Sequence, residues 1–245
     1  MEAALAEAVE RHGGAIDDIT PIVERAQDDE VRQWALDANL KPPRLVDDHH
    51  VEFDPAWHRL LDTAIGFGLH GAPWAASGPA PHLTRAAGFY VWSQVEAGHG
   101  CPISMTYAAI PSLRLEPELA EQWNPRLTST TAPALAGMTM TEKQGGSDLR
   151  AVTTRAEPAA EGTYVLTGEK WFCSAPTCDV FLALARTDAG PTCFLLPRLR
   201  PDGTANALRV VRLKSKLGNR SNASAQIALD GALAWRVGPE GRGLA

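Results

Sequence analysis

Residues 138–148, Met-Thr-Met-Thr-Glu-Lys-Gln-Gly-Gly-Ser-Asp, concentrate hydroxyls, paired glycines and a Ser-Asp step in one short stretch. Gly145 and Gly146 carry no Cβ, so their N–H groups can approach an anion that larger residues hold away. Thr139, Thr141 and Ser147 add hydroxyl donors without adding charge. Two readings follow. The chain passes close to a phosphate-bearing ligand, or it makes a polar turn between two domains, since Gly-Gly-Ser-Asp is also ordinary turn chemistry. A second candidate lies at 209–220, where five basic residues occur with no acid. If a strand continues from Leu208, then Arg212, Lys214 and Lys216 share one face. That face is either an edge protected by charge or a docking surface for phosphates. Aromatics do not interleave with these cations, which speaks against a nucleic-acid groove.

Other chemistry is sparse. The four cysteines, Cys101, Cys173, Cys178 and Cys193, show no C-x-x-C spacing and read as free thiols in a reducing cytosol. The seven histidines are scattered at or before His99, so no metal site is expected.

The elements that must position the 138–148 stretch differ on its two sides. Before it the pattern is helical. Asp54-Pro55 and Thr20-Pro21 each set a capping residue before a proline at the first helical position. From Trp57 to Leu69 apolar residues recur at three and four. A second helix is predicted over 83–96 with Ala87, Tyr90, Val91 and Val95 on one face, a third over 101–109, and a short fourth over 118–123 that stops at Asn124-Pro125. Five of the seven tryptophans lie in this half and read as packing residues. After the stretch the period changes to short β-type runs at 164–167, 180–185, 193–196, 208–213 and 225–229, separated by turn clusters that include Gly168-Glu169. Short strands without intervening helices predict an antiparallel barrel or sandwich, and no G-x-G-x-x-G supports a dinucleotide fold.

A chain of 245 residues is long enough for one large or two smaller domains, and its 44% hydrophobic and 21% charged content is that of an ordinary globular protein. No apolar run reaches the ~18–20 residues of a membrane span, and the acidic N-terminus lacks a basic signal region, so a cytoplasmic protein is expected. Residues 1–137 hold 9 Lys/Arg against 19 Asp/Glu, whereas 138–245 hold 14 against 10. This asymmetry places a boundary near Gly137.

Three ordered segments together resemble the acyl-CoA dehydrogenase family of flavoproteins. Residues 140–148 are similar to its Thr-Glu…Gly-Ser-Asp flavin signature. Gly-Glu-Lys-Trp-Phe-Cys-Ser at 168–174 is similar to its Gly-x-Lys-x-Trp-x-Thr motif, and Lys-Leu-Gly-Asn-Arg-Ser at 216–221 to its Lys-Leu-Gly-x-Arg strand pair. Val-Glu-Ala-Gly at 95–98, Cys-Pro-Ile-Ser-Met-Thr at 101–106 and Ser-Asn-Ala-Ser at 221–224 resemble its alkylation-response, isovaleryl-CoA-dehydrogenase-like (AidB) branch. The resemblance extends over about 54–245.

It implies an α+β multidomain fold: an N-terminal all-α helical domain over 1–137 and an antiparallel β-barrel middle domain over 138–245, with the C-terminal four-helix domain absent from the chain. It implies FAD as cofactor. Met138, Thr139, Met140, Thr141, Glu142, Lys143, Gln144, Gly145, Gly146 and Ser147 would line it, with Thr141 at the pyrimidine edge and Ser147 at the pyrophosphate. Phe172 stands where the family has a tryptophan beside the ring, Cys173 follows, and Ser174 stands where a threonine hydroxyl meets flavin N5. The implied activity is α,β-dehydrogenation of an acyl-CoA thioester. The family's base is a glutamate of the C-terminal helical domain, so no catalytic residue is named here; Glu142 is expected to position backbone. Expected partners are an acyl-CoA-like small molecule and either further copies of the chain or a chain supplying the covering domain. The alternatives are a non-catalytic flavin-fold protein of the DNA alkylation response, with DNA binding left open, and one half of a split enzyme.

Overall fold

The structure is a computed structural model that describes residues 3–244. Its first half is built from α1 (Ala3–Arg11), α2 (Thr20–Arg25), α3 (Asp29–Leu40), the hairpin of β1 (Arg44–Asp47) and β2 (His50–Glu52), α4 (Pro55–Gly66), α5 (Ala80–Val95), α6 (Gly100–Leu113) and α7 (Pro117–Thr128). The second half holds β3 (Ala136–Thr139), β4 (Arg155–Pro158), β5 (Thr163–Ser174), β6 (Val180–Thr187), β7 (Gly190–Pro197), β8 (Leu208–Leu213) and β9 (Ser224–Val237).

Local chemistry sets several of these boundaries. Asp54 caps α4, its carboxylate accepting from Ala56 N at 2.9 Å, with Pro55 pre-set at the first helical position. In α2, by contrast, Thr20 is already helical and its hydroxyl donates back to Ile16 O. The buried stripe of α5 is Ala87, Gly88 and Trp92, whereas Tyr90 is exposed. Trp92 decides the rotation: it is fully buried, and its indole N–H donates to Leu60 O. The expected stop at Asn124-Pro125 does not occur. Pro125 frees the carbonyl of Glu121, which is on the solvent side of α7, so the helix continues to Thr128 at little cost. The helical half also contains the β1–β2 hairpin, which lies against β8 through Val210 N donating to Asp48 O at 2.7 Å.

The seven-stranded sheet runs in the order β3-β5-β4-β6-β7-β9-β8, and β9 pairs with β5 as well as with β7 and β8, so β5, β4, β6, β7 and β9 close on themselves as a barrel. The sheet is mixed, which corrects the antiparallel expectation. β3 runs parallel to β6 in the register Ala136↔Val180 through Thr139↔Ala183, and β4 meets β6 in parallel at Arg155↔Arg186. β3 is delivered by α7 rather than by a hairpin, so no turn forces it antiparallel to its neighbour. β5 is one strand through the Gly168-Glu169 pair expected to turn. A Cβ at Gly168 would lie 2.7 Å from Thr154 Oγ1, and its absence lets β5 cross that residue without reversing.

Three apolar cores result. One fills the helical half around Leu60, Leu69, Trp92 and Ile103, and one fills the barrel around Phe181, Phe194, Leu196 and Ile227. The third lies between α6–α7 and the outside of the barrel, where Ile110, Leu113 and Leu127 meet Val180, Leu182 and Leu195. β6 is thus buried on both faces, which explains its unbroken apolar sequence. Each such side chain contributes about 1.5–3 kcal/mol by leaving water. The third core sets β3, and the stretch that follows it, against the helical half.

Candidate cofactor site

β3 enters the 138–148 stretch from a fixed position. The Thr106 hydroxyl of α6 accepts from Ala136 N at 2.9 Å and donates to Pro102 O at 2.7 Å. Gly137 passes so close to the Phe181 ring that a Cβ would stand 2.7 Å from it. Met138 then pairs with Ser174 of β5, and Trp171 N donates to Thr141 O at 2.8 Å. Two segments more than thirty positions apart in the sequence therefore share one sheet edge.

The side chains of this edge divide into two groups. Met140 and Phe172 are 38% and 42% exposed, apolar and uncovered. Beside them Thr141 and Ser174 are half-buried, and Lys143, Gly146 and Ser147 are exposed. The hydroxyls of Thr141 and Ser147 donate to no protein acceptor among the described residues, while the Ser174 hydroxyl bears on the Cys101 thiol. Thr139, Glu142 and Cys173 instead turn into the barrel. Thr139 and Cys173 are both fully buried, and burial pushes the Cys173 thiol up to about 12 against the pull of the Thr139 hydroxyl.

Glu142 is the hub of the second group. It is 3% exposed, and its carboxylate accepts from Gln144 Nε2, from the amide and hydroxyl of both Thr153 and Thr154, and from Lys170 Nζ at 2.7 Å. Lys170 is fully buried and also donates to the carbonyls of Leu184 and Met140. Burial alone would raise the Glu142 carboxyl, but the Lys170 ammonium and the threonine hydroxyls outweigh it and hold the group far below the usual carboxylate range. Burial draws Lys170 downward against the pull of Glu142. A carboxylate so fully engaged is an anchor and not an available base. Gln144 is tied into the same network through Ala151 O and Thr153 Oγ1. Gly145 closes the turn by exchanging backbone hydrogen bonds with Glu142, where a Cβ would meet Asp148 O at 2.7 Å.

The basic strand behaves differently from the one-face expectation. β8 has a bulge between Val210 and Arg212 and ends at Leu213. The Arg212 and Lys214 side chains then stand over Trp171, at 5.1 and 3.1 Å from the ring centroid, with Lys143 at 5.7 Å. Lys216 turns inward instead and donates to Asn222 O and Ser224 Oγ. The chain leaves the sheet at Leu213, which breaks the alternation that would have aligned all three cations.

Sequence reasoning passed over two groups here. Trp171 collects the cations, a role hidden because it occupies the variable position of its motif. Glu96, 5% exposed, accepts from Asn39 Nδ2, Gly98 N, His99 N and Nδ1, and Ser221 Oγ. Burial opposes its ionisation, yet the donors from His99, Ser221 and Asn39 hold it at about 2. Beside it Cys101, at the start of α6, has its thiol pushed up by burial against the influence of Lys216 and Ser174.

Two family descriptions match this chain: "Adaptive response protein AidB N-terminal domain" over residues 1–132 and "Acyl-CoA dehydrogenase, middle domain" over residues 137–232. The chain belongs to the acyl-CoA dehydrogenase family, in its AidB branch. It is 41% identical to AidB of Escherichia coli (strain K12) across 99% of its own length and 49% of AidB. It is 34% identical to acyl-CoA dehydrogenase family member 11 of Caenorhabditis elegans, across 88% of this chain and 39% of that protein. The chain thus spans about half or less of the length of these relatives. Among solved structures, Caenorhabditis elegans ACDH-11 in complex with C11-CoA superposes with a TM-score of 0.87 at 28% identity, covering 99% of this chain and 46% of the other. A likeness at lower identity, showing the fold alone, is to butyryl-CoA dehydrogenase from Megasphaera elsdenii (TM-score 0.72, 20% identity, 94% of this chain and 60% of the other). Among the described residues no helix is long and apolar enough to cross a membrane.

Proposed function

We propose that this chain supplies the helical and barrel domains, meeting near residue 137, of an FAD-linked oxidoreductase acting on an acyl-CoA thioester. One observation carries the reading: the pairing of Met138 with Ser174 sets two uncovered apolar side chains, Met140 and Phe172, among the hydroxyls of Thr141, Ser147 and Ser174 on a single open face. A flat, partly apolar ring with polar edges and a phosphate tail fits that pattern.

An α,β-dehydrogenation needs a hydride acceptor, and that is the chemistry the flavin supplies when bound. The residues of this chain hold and tune it. Met140 and Phe172 exclude water from a ring face. Ser174 offers a hydroxyl donor at the ring's N5 edge and Thr141 one at its pyrimidine edge. The amides of Gly145 and Gly146 and the Ser147 hydroxyl meet the pyrophosphate. Thr139, Glu142, Gln144 and Cys173 serve from behind by fixing the backbone, and Lys143 adds a cation at the rim. No residue of this chain is proposed as the base. The openness of the face calls for a cover, and we assign that to a further helical domain or a second subunit. Four free thiols accord with a cytoplasmic location.

The test is flavin uptake. The purified chain, alone or with a covering segment from its full-length relative, is mixed with FAD, desalted, and read by its visible spectrum. Retained flavin bands are expected. They should be weakened by Gly146→Val, whose Cβ alone would lie 3.1 Å from Thr141 Cγ2. Ser174→Ala should keep the flavin but shift its reduction potential. No flavin retained in either format overturns the proposal.

A further inference from the structure

A cleft of about 280 Å³ opens between α7 and the connection from β7 to β8, on residues that the flavin reading does not use. It is lined by three arginines, Arg126, Arg198 and Arg200, by Trp123 and Trp235, and by one acid, Asp179. Among the described residues none of these arginines forms an ion pair. The Nε–H groups of Arg198 and Arg200 are shut off from solvent and reach no acceptor in the protein. Arg126 lies over the Trp123 ring at 4.4 Å, while among the described residues no aromatic or cation stacks on the Trp235 ring. The Asp179 carboxylate already accepts from Leu135 N at 2.8 Å.

The wall of the cleft is built firmly. Buried Asn206 donates to the carbonyls of Pro197 and Leu233 and accepts from the amides of Ala207 and Leu233, which fixes the connection on which Arg198 and Arg200 stand. Those two Nε–H groups are sealed inside the wall, so a ligand in the cleft meets the rest of each half-buried guanidinium. Guanidinium groups match the oxygens of phosphate in fixed, paired geometry. Three guanidinium groups against one carboxylate leave a surplus of two positive charges, which matches a phosphate monoester dianion better than a carboxylate. The half-buried Trp235 ring suits a flat base or aryl group attached to it, while Trp123, buried beneath Arg126, backs that arginine.

We propose that this cleft binds a phosphate monoester carrying a flat ring, of the nucleoside monophosphate class. Its binding strengthens as pH rises through about 6, where the second phosphate proton leaves. The site is separate from the flavin face and does not depend on it.

The experiment is calorimetric titration of the full chain with AMP, adenosine and inorganic phosphate at constant ionic strength, with and without FAD. AMP is expected to bind at least about tenfold more tightly than either fragment. Arg198→Gln with Arg200→Gln should weaken AMP by about tenfold or more, and Arg126→Gln on exposed α7, the change least able to disturb folding, by about threefold. Trp235→Leu should bring AMP down to the level of phosphate. No heat at millimolar AMP overturns the proposal. So does equal binding of AMP and adenosine, unchanged affinity in the arginine variants, or displacement of AMP by FAD. A chain that takes up no flavin leaves the AMP titration intact, so the two readings fail separately.

Discussion

Replacing Glu142 by Gln asks whether buried charge holds the 138–148 stretch in place. Glu142 and Lys170 are both sealed from solvent with Nζ and Oε1 2.7 Å apart. The amide keeps the shape of the carboxylate but removes the counter-ion of a buried ammonium, whose other acceptors are the carbonyls of Leu184 and Met140. It also turns an NH₂ group toward donors that the carboxylate had accepted. Removing one partner of a buried pair costs about 3–5 kcal/mol. Lys170→Met fills the lysine stem and leaves the carboxylate its amide and hydroxyl donors, so its cost is smaller, about 1–3 kcal/mol. The double variant removes both charges, and the cycle should return a favourable coupling of about 2–3 kcal/mol. Urea midpoints followed by tryptophan fluorescence, with unchanged slope, measure all four corners. A cost below about 1 kcal/mol for Glu142→Gln, or strictly additive single costs, refutes the reasoning. The pH dependence gives an independent sign. The Glu142 carboxyl is depressed in the fold, so its contribution is present above the ordinary value of 4.5 and is lost as pH falls below it. Lys170 is depressed by burial, so the cost of its charge is present at neutral pH and fades as pH rises toward 10.5. Glu142→Gln should therefore flatten the acid limb and recover part of its lost stability at alkaline pH.

Two further outcomes follow from the same geometry. Glu96 titrates at about 2 in the fold against 4.5 unfolded, so on the order of 3 kcal/mol present above pH 5 should be lost between pH 5 and pH 2. Ser221→Ala, which removes its 2.8 Å donor, should shrink that loss in acid denaturation curves and lower the midpoint at pH 7. Gly137→Ala would place a methyl 2.7 Å from the Phe181 ring and 3.3 Å from Ser174 O, costing about 1–3 kcal/mol and loosening the Met138–Ser174 pair. Hydrogen exchange at Ser174 and Trp171 reads that loosening directly.

What the sequence disclosed follows the range of the interactions involved. β6, β7 and β8 were legible because their runs are apolar or β-type and the turn residues between β6 and β7 are local, whereas β4 (Arg155–Pro158), short and mostly exposed, was not. The α4 start was legible because Asp54 and Pro55 act within three residues. Gly168 misled because a glycine at a turn and a glycine at a strand crossing look alike until the crossing partner, Thr154, is known. The parallel course of β3 was hidden for a similar reason, since its neighbour β6 lies some forty positions away and no turn joins them. The stretch at 138–148 was found from its composition, but its division into an open set and a buried set was not. That division depends on Lys170, 28 positions from Glu142, and on the cations that gather at Trp171 only after β8 bulges.

Glu142 and Glu96 show one device used twice. Each is a buried carboxylate surrounded by backbone amides and hydroxyls, and each ties a segment of the site to a distant element. Glu142 joins the 138–148 turn to β5 through Lys170, and Glu96 joins α3, the start of α6 and the 214–223 loop through Asn39, His99 and Ser221. Because these acids spend their charge inside the protein, neither adds a negative charge to the face that carries Met140, Phe172 and the hydroxyls of Thr141, Ser147 and Ser174, with Lys143 at its rim. A flavin that must take up negative charge on reduction and carries an anionic tail is favoured by that distribution. The same two acids would each destroy it if exposed, because an exposed carboxylate at the rim would oppose both charges. If the proposed flavin site is right, acid or mutational loss of either anchor should release flavin at a milder condition than it unfolds the barrel.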